Sequence, residues 1–244
     1  MSQGGSSERI SFLRGAIARI ESGQPEARAA RGSLSEVVPA KAGDRTAACG
    51  FALSLAAQAA GNRGMVVWVA EDFVLLEAGL PHGPGLVEQG IDPNRLVLVR
   101  AASAKQALWA IEEALKSPAC AVVLGEVVDG ARQFDLAYTR RLAVATRTSG
   151  AHGILLHGAP APGGLSTAAQ ARYEVRSHPG PHLVSAAGRR PITSQSAWGV
   201  RLLKARAAQG LSALPDPNRW QSFVGAAAEA APAPLPSLPR RSVR

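Results

Sequence analysis

Short β-branched runs alternating with Ala-rich helical stretches predict an α/β fold, a mostly parallel sheet covered by helices on both faces. Two further observations support that class. The chain has 244 residues and is 46% hydrophobic, enough for one well-buried core plus appendages. No stretch repeats itself, which leaves a layered domain rather than a solenoid.

The elements follow in order. Residues 8–22 read as an amphipathic helix, with Ile10, Leu13, Ile17 and Ile20 three and four apart on one face. Residues 23–32, Ala-rich with a Pro, read as a linker. Strands are expected at 34–38, 65–69, 96–99, 121–124 and 153–156, and helices at 46–60, 103–116 and 134–148. Ser103 is placed to cap the second helix, with Pro118 just past its end. The third carries Leu136, Arg140, Arg141 and Val144. A Pro/Gly loop at 159–165 leads to a short helical turn at 166–171 and a strand through Tyr173, Val175 and Ser177. A last strand is expected at 198–206, and the Ala/Pro-rich, basic residues 226–244 read as a disordered tail. The division is thus 1–30 helix and linker, 31–185 core, 186–225 basic β extension and 226–244 tail.

In sheets of this kind the first strand-to-helix turn is the usual phosphate cradle. A working loop needs Gly-x-x-x-x-Gly-Lys-Ser/Thr, so that backbone N–H groups close on the phosphates, Lys neutralises them and the hydroxyl holds magnesium. The turn here reads Val38-Pro39-Ala40-Lys41-Ala42-Gly43-Asp44-Arg45-Thr46. Framed on Gly43, Val38 stands for the first glycine, Asp44 for the lysine and Arg45 for the hydroxyl residue. An anion in place of that lysine exchanges attraction for repulsion, about 4 kcal/mol for each at ~4 Å and an effective dielectric near 20. Lys41 lies out of frame. Gly125, followed by Glu126, falls where a magnesium-binding Asp is expected, and Glu71 falls where a water-activating carboxylate would stand. The expectation is a degenerate site with no nucleotide, cofactor or metal, and no catalytic residue. Gly158 and Gly163 mimic a second loop frame, but Gly164 takes its lysine position. Cys49 and Cys120 lie in apolar segments and are expected as buried thiols. The five His residues accompany no nucleophile elbow or metal motif.

Charge is uneven. Residues 161–244 hold eleven basic against three acidic residues and supply +8 of the net +9. Such a bias suits a polyanion, nucleic acid first, or solubility alone. Arg172 and Arg176 share a strand face by the two-residue period, as do Lys204 and Arg206, with Arg189 and Arg190 in a loop between and Arg201 alongside. Tyr173 and Trp198 are candidate stacking groups, or core. No apolar run approaches the roughly 20 residues of a membrane helix, which with the polar start leads us to expect a soluble, cytoplasmic protein.

From Gly32 to about His157 the order of elements resembles the core of the recombinase RecA. The chain more specifically resembles the ImuA family, through Leu13-Arg14-Gly15-Ala16-Ile17-Ala18-Arg19-Ile20, Gly90-Ile91-Asp92-Pro93, Leu96-Val97-Leu98-Val99-Arg100, Ala107-Leu108-Trp109-Ala110-Ile111-Glu112-Glu113-Ala114-Leu115 and Trp198-Gly199-Val200-Arg201-Leu202-Leu203. That resemblance implies a RecA-like, P-loop-type sheet and non-catalytic accessory work in damage-induced translesion synthesis, with nucleoid association when DNA is damaged. Implied partners are ImuB, a Y-family polymerase relative, a DnaE-type error-prone polymerase, RecA and single-stranded DNA, with self-association through the N-terminal stripe. Two other readings stay open: a RecA-family ATPase with an atypical loop, and a damage-induced inhibitor of cell division.

Overall fold

The computed structural model describes residues 32–61, 64–128, 130–161, 165–179, 182–183, 192–193, 197–205 and 220–224. The N-terminal helix with Ile10, Leu13, Ile17 and Ile20, the basic residues Arg189, Arg190 and Arg206, and the 226–244 tail lie outside them.

In chain order the strands are β1 Leu34–Pro39, β2 Met65–Glu71, β3 Leu96–Ala101, β4 Cys120–Val127, β5 His152–His157, β6 Ala171–Ser177, β7 His182–Leu183, β8 Ile192–Thr193, β9 Ala197–Ala205 and β10 Gln221–Val224. The helices are α1 Arg45–Ala60, α2 Asp72–Ala78, α3 Gly83–Glu88, α4 Ala104–Lys116, α5 Gly130–Gln133 and α6 Leu136–Ser149. Eight strands form one sheet in the order β10-β9-β6-β1-β5-β4-β2-β3, and β7 pairs with β8 separately. The six strands from β6 to β3 run parallel. Strands β9 and β10 join antiparallel, so the late strands extend the core sheet instead of folding apart from it. This is the expected α/β architecture, a mostly parallel sheet with helices on both faces.

Two apolar layers explain why the sheet forms. Alternate residues of the central strands point to opposite faces. Val37, Val66, Trp68, Leu124, Ile154 and Tyr173 bury one face against Phe51, Ala52 and Leu55 of α1. Val67, Val123, Val127 and Leu155 bury the other against Ile111 and Leu115 of α4 and Leu142 of α6. Ser103 caps α4 as expected, accepting a hydrogen bond from the Gln106 N–H.

Three local expectations change. The third long helix starts at Leu136, not 134, because Asp135 takes the cap position and accepts from Tyr138 N–H at 2.7 Å, leaving Phe134 to fill the core. Residues 166–171 make no helical turn. Their backbone is committed to distant partners: Ala168 N–H donates to Thr139 Oγ1, Gln170 N–H to the Leu34 carbonyl, and Ala171 opens β6. The helices α2 and α3 were not anticipated, since at seven and six residues neither carries a readable period.

Candidate functional site

The carboxyl ends of β1, β2 and β4 meet at the turn expected to cradle phosphate. Strand β1 continues to Pro39, which has no N–H, and the Ala40 N–H donates to the Val175 carbonyl on β6 at 2.8 Å. A single 3-10 turn, Ala42–Asp44, then enters α1, with Asp44 N–H donating to the Lys41 carbonyl. Both of these amides are thus engaged by backbone carbonyls of the protein itself. Gly43 has no positive φ, and a Cβ there would meet nothing within 4 Å, so the retained glycine answers no steric demand. Thr46 is exposed on the first turn of α1.

Asp44 does not face the cradle as an isolated anion. Its side chain is buried, and Oδ1 accepts hydrogen bonds from both the backbone N–H and the hydroxyl of Ser177, each at 2.9 Å. Burial pushes its carboxyl up, but the Ser177 bonds and the nearby Lys41 outweigh that and hold it below its ordinary value. The acid clasps the end of β6. The repulsion expected from its position in the frame therefore acts less directly than the sequence suggests.

The alternation of β4 also corrects the assignment of Gly125. Val123 and Val127 face α4, and so does Gly125, where a Cβ would lie 2.4 Å from Ile111 Cδ1. A carboxylate has no room there. Val122 and Leu124 face α1, which makes Glu126 the residue whose side chain looks toward the cradle. It is buried, and Arg45 Nη2 donates to its Oε1 at 3.3 Å. Arg45 Nη1 also stands 3.6 Å from Glu77 of α2. Burial raises the Glu126 carboxyl above its ordinary value, with Arg45 and the Trp68 indole opposing. Glu71 is occupied elsewhere, its Oε1 accepting from the Val128 N–H at 2.9 Å.

The expected basic stripe is divided. Arg172, Glu174 and Arg176 do share the face of β6 opposite Tyr173 and Val175, and Leu203 is the extra β9 residue opposite the Arg172–Tyr173 step. Arg172, however, is buried. Its Nε donates to Glu36 Oε2 at 2.7 Å, Nη1 to the Leu165 carbonyl at 2.9 Å and Nη2 to Thr167 Oγ1 at 3.1 Å. All three nitrogens are used inside the protein, so it does not stand beside Arg176 on an open face. His157 Nε2 lies 3.8 Å from Glu36 Oε1, and Phe134 packs edge-on against that ring. Burial pushes Glu36 up, while His157 and Arg172 together hold it below its ordinary value. Lys204 donates to the Thr167 carbonyl at 2.6 Å, pinning the same loop.

The other end of the face is open. Arg176 stacks over the Trp220 ring at 4.3 Å and Arg201 at 5.0 Å, and Arg201 also binds Glu174. Gly199 leaves room for the Arg176 side chain, since a Cβ would sit 2.7 Å from its Nε. Tyr173 and Trp198 belong to the core, packed edge-on around Phe51. Trp220 is the aromatic that sequence reading missed; a tryptophan just ahead of a four-residue edge strand gives no periodic signal. Cys49 is half-buried, and burial pushes its thiol up to about 12. Among the described residues no cluster of His, Cys, Asp and Glu could hold a metal ion, and no helix is long and apolar enough to cross a membrane.

No family model matches the chain. Protein ImuA from two strains of Caulobacter vibrioides is 35% identical to it over 97 residues, which is 40% of this chain and 36% of each relative. Over that stretch the chain is similar to Protein ImuA. It spans about a third of the length of these ImuA relatives. Among solved structures, SulA from Pseudomonas aeruginosa aligns with TM-score 0.40 at 17% identity, covering 51% of this chain and 96% of SulA. The RadB recombinase aligns with TM-score 0.48 at 12% identity, covering 80% and 88%. Both scores fall below one-half, and the fold described above rests on this chain's own strand order and register.

Proposed function

We propose that this chain is a non-catalytic RecA-like accessory protein of damage-induced translesion synthesis, acting by contact with ImuB, a DnaE-type polymerase and RecA instead of by ATP hydrolysis. The observation that carries the reading is the Arg45–Glu126 ion pair. The frame position of the magnesium-holding hydroxyl is a cation, and it is bonded to the carboxylate that faces the cradle. The Ala40 and Asp44 amides are engaged by backbone carbonyls and an Asp stands at the lysine position, so the triphosphate loses several of its usual donors. This donor set does not fit a magnesium nucleotide. Relatedness to Protein ImuA over part of the chain supports placing it in the mutagenesis context that the sequence resemblance implies.

Equilibrium binding of ATP with and without magnesium, together with copurification of ImuB, RecA and the polymerase, tests the proposal. No nucleotide affinity with retained copurification is expected. Tight magnesium-dependent ATP capture, or turnover abolished in Glu126→Gln, would overturn it in favour of an atypical ATPase.

A second activity is favoured by the Arg176–Trp220–Arg201 stack. Two guanidinium groups gathered at one indole ring on an open sheet face suit single-stranded DNA, the cations meeting phosphates and the planar groups meeting bases. Anisotropy of a labelled oligothymidine against salt should give a log–log slope that falls by roughly 0.7 for each Arg removed. Affinity indifferent to salt would exclude this role.

A further inference from the structure

Helix α6 carries Arg140, Arg141 and Arg147 and no Asp or Glu within Leu136–Ser149. The three point different ways. Arg141 leans toward α4, where its Nη2 stands 3.2 Å from Glu112 Oε2 and its guanidinium lies over the Tyr138 ring. Arg140 and Arg147, seven positions apart, form a row about 10 Å long on the outer surface, with Ala143 buried between them. Both are exposed, and among the described residues neither makes an ion pair or hydrogen bond. The helix dipole favours a cation at Arg147 in the last turn, but gives no reason for Arg140.

The row borders the open half of the sheet. On its flank of α6, Thr139 Oγ1 accepts from the Ala168 N–H at 2.9 Å, and Ala143 shares a buried cluster with Ala169, so this flank meets the segment leading into β6. Arg176 projects on the same side of the sheet as α6, because it alternates with Tyr173 and Val175, which bury the α1 side. Helix α6 packs on β1 and β5, and β6 is the next strand. The row thus stands one or two strand spacings from Arg176, on the order of 5–10 Å across the sheet. Asp135, the nearest acid in the chain, is engaged by the Tyr138 N–H at the helix cap.

We propose that Arg140 and Arg147 are a second phosphate-binding row for single-stranded DNA, continuing the strand held at Arg176, Arg201 and Trp220. The inference rests on the DNA reading of that face. Guanidinium donors match phosphate oxygens, and here no carboxylate competes for them, whereas Arg201 is shared with Glu174. An acidic protein surface would meet the cations alone; a nucleic acid also uses the planar groups gathered at Trp220.

Anisotropy of labelled oligothymidines, from about 20 nucleotides downward, on the full chain tests it. Arg140→Gln/Arg147→Gln should weaken the longest about tenfold and lower its log–log salt slope by roughly 1.4, with an unchanged circular dichroism spectrum. Arg140→Lys/Arg147→Lys should keep most of the affinity. Lys105→Gln/Lys116→Gln removes the same charge from α4 and should leave binding within about twofold of wild type. As the oligomer shortens, the deficit should vanish, because a strand held at Trp220 then stops short of α6. If Arg176→Ala weakens binding but Arg140→Gln/Arg147→Gln does not, or if the α4 control loses as much, the row is refuted and the Trp220 face stands. A deficit of equal size at every length still bound would refute the continuous path. Absence of binding at low salt would overturn the DNA reading together with the row. Intact DNA binding with lost capture of purified ImuB would assign Arg140 and Arg147 to a protein instead.

Discussion

Arg45 on the first turn of α1 donates from Nη2 to Oε1 of Glu126 on β4 at 3.3 Å, across the mouth of the turn where a nucleotide site would lie. The carboxylate is buried and the guanidinium half-buried, so the pair is stronger than a surface bridge, and its loss leaves a charge in an apolar wall.

Arg45→Ala should therefore destabilise the fold by about 1–3 kcal/mol, less than a fully buried pair would because solvent reaches the guanidinium. Urea denaturation measures it. Glu126 has a raised folded value, so it carries the opposite pH sign from the paired acids: stability falls as pH rises from the ordinary carboxylate range through that raised value. In Glu126→Gln that downward slope should disappear.

Asp44→Asn should cost about 1–3 kcal/mol, since the Ser177 N–H and hydroxyl both lose an ionised acceptor. Asp44 is held below its ordinary value, so its contribution is complete above the unfolded value and lost as pH falls through the folded one. Acid unfolding of the variant should be correspondingly shallower. An unchanged acid limb would mean that the Ser177 clasp contributes nothing.

Arg172→Met should destabilise by about 3–5 kcal/mol by stranding Glu36, and Glu36→Leu/Arg172→Met should recover much of that loss. Comparing thermal midpoints of the single and double variants decides. If Arg172→Met instead lowered DNA affinity with stability intact, the buried assignment of this arginine would be wrong.

Gly125→Ala forces a Cβ to 2.4 Å from Ile111 Cδ1, and should cost about 1–3 kcal/mol of overpacking. Adding Ile111→Val should restore part of it. Equal stability of Gly125→Ala and wild type would show that β4 and α4 yield more readily than their packing suggests.

Sequence periodicity located β1, β2, β3, β4, β5, β6 and β9 and the three long helices to within a few residues. Apolar runs and spacing are local properties, and burial on two sheet faces enforces them. The short α2 escaped because seven residues hold too few turns to display a period, and with it went the most exposed apolar surface near the cradle. The site was legible as a broken frame, and no further. That Gly125 faces Ile111 while Glu126 faces Arg45 follows from the phase of β4, which a one-residue offset in the frame obscures.

The sequence by itself determined the class of fold, the loss of the phosphate-loop frame and the basic bias of the last third, because composition and short-range pattern carry them. Only the tertiary structure decided which charges are spent inside. Asp44 closes on Ser177, 133 positions away, and Arg172 closes on Glu36, 136 positions away. Contacts at such separation depend on strand order and register, and a cation on a strand reads alike in sequence whether its face meets solvent or a covering loop.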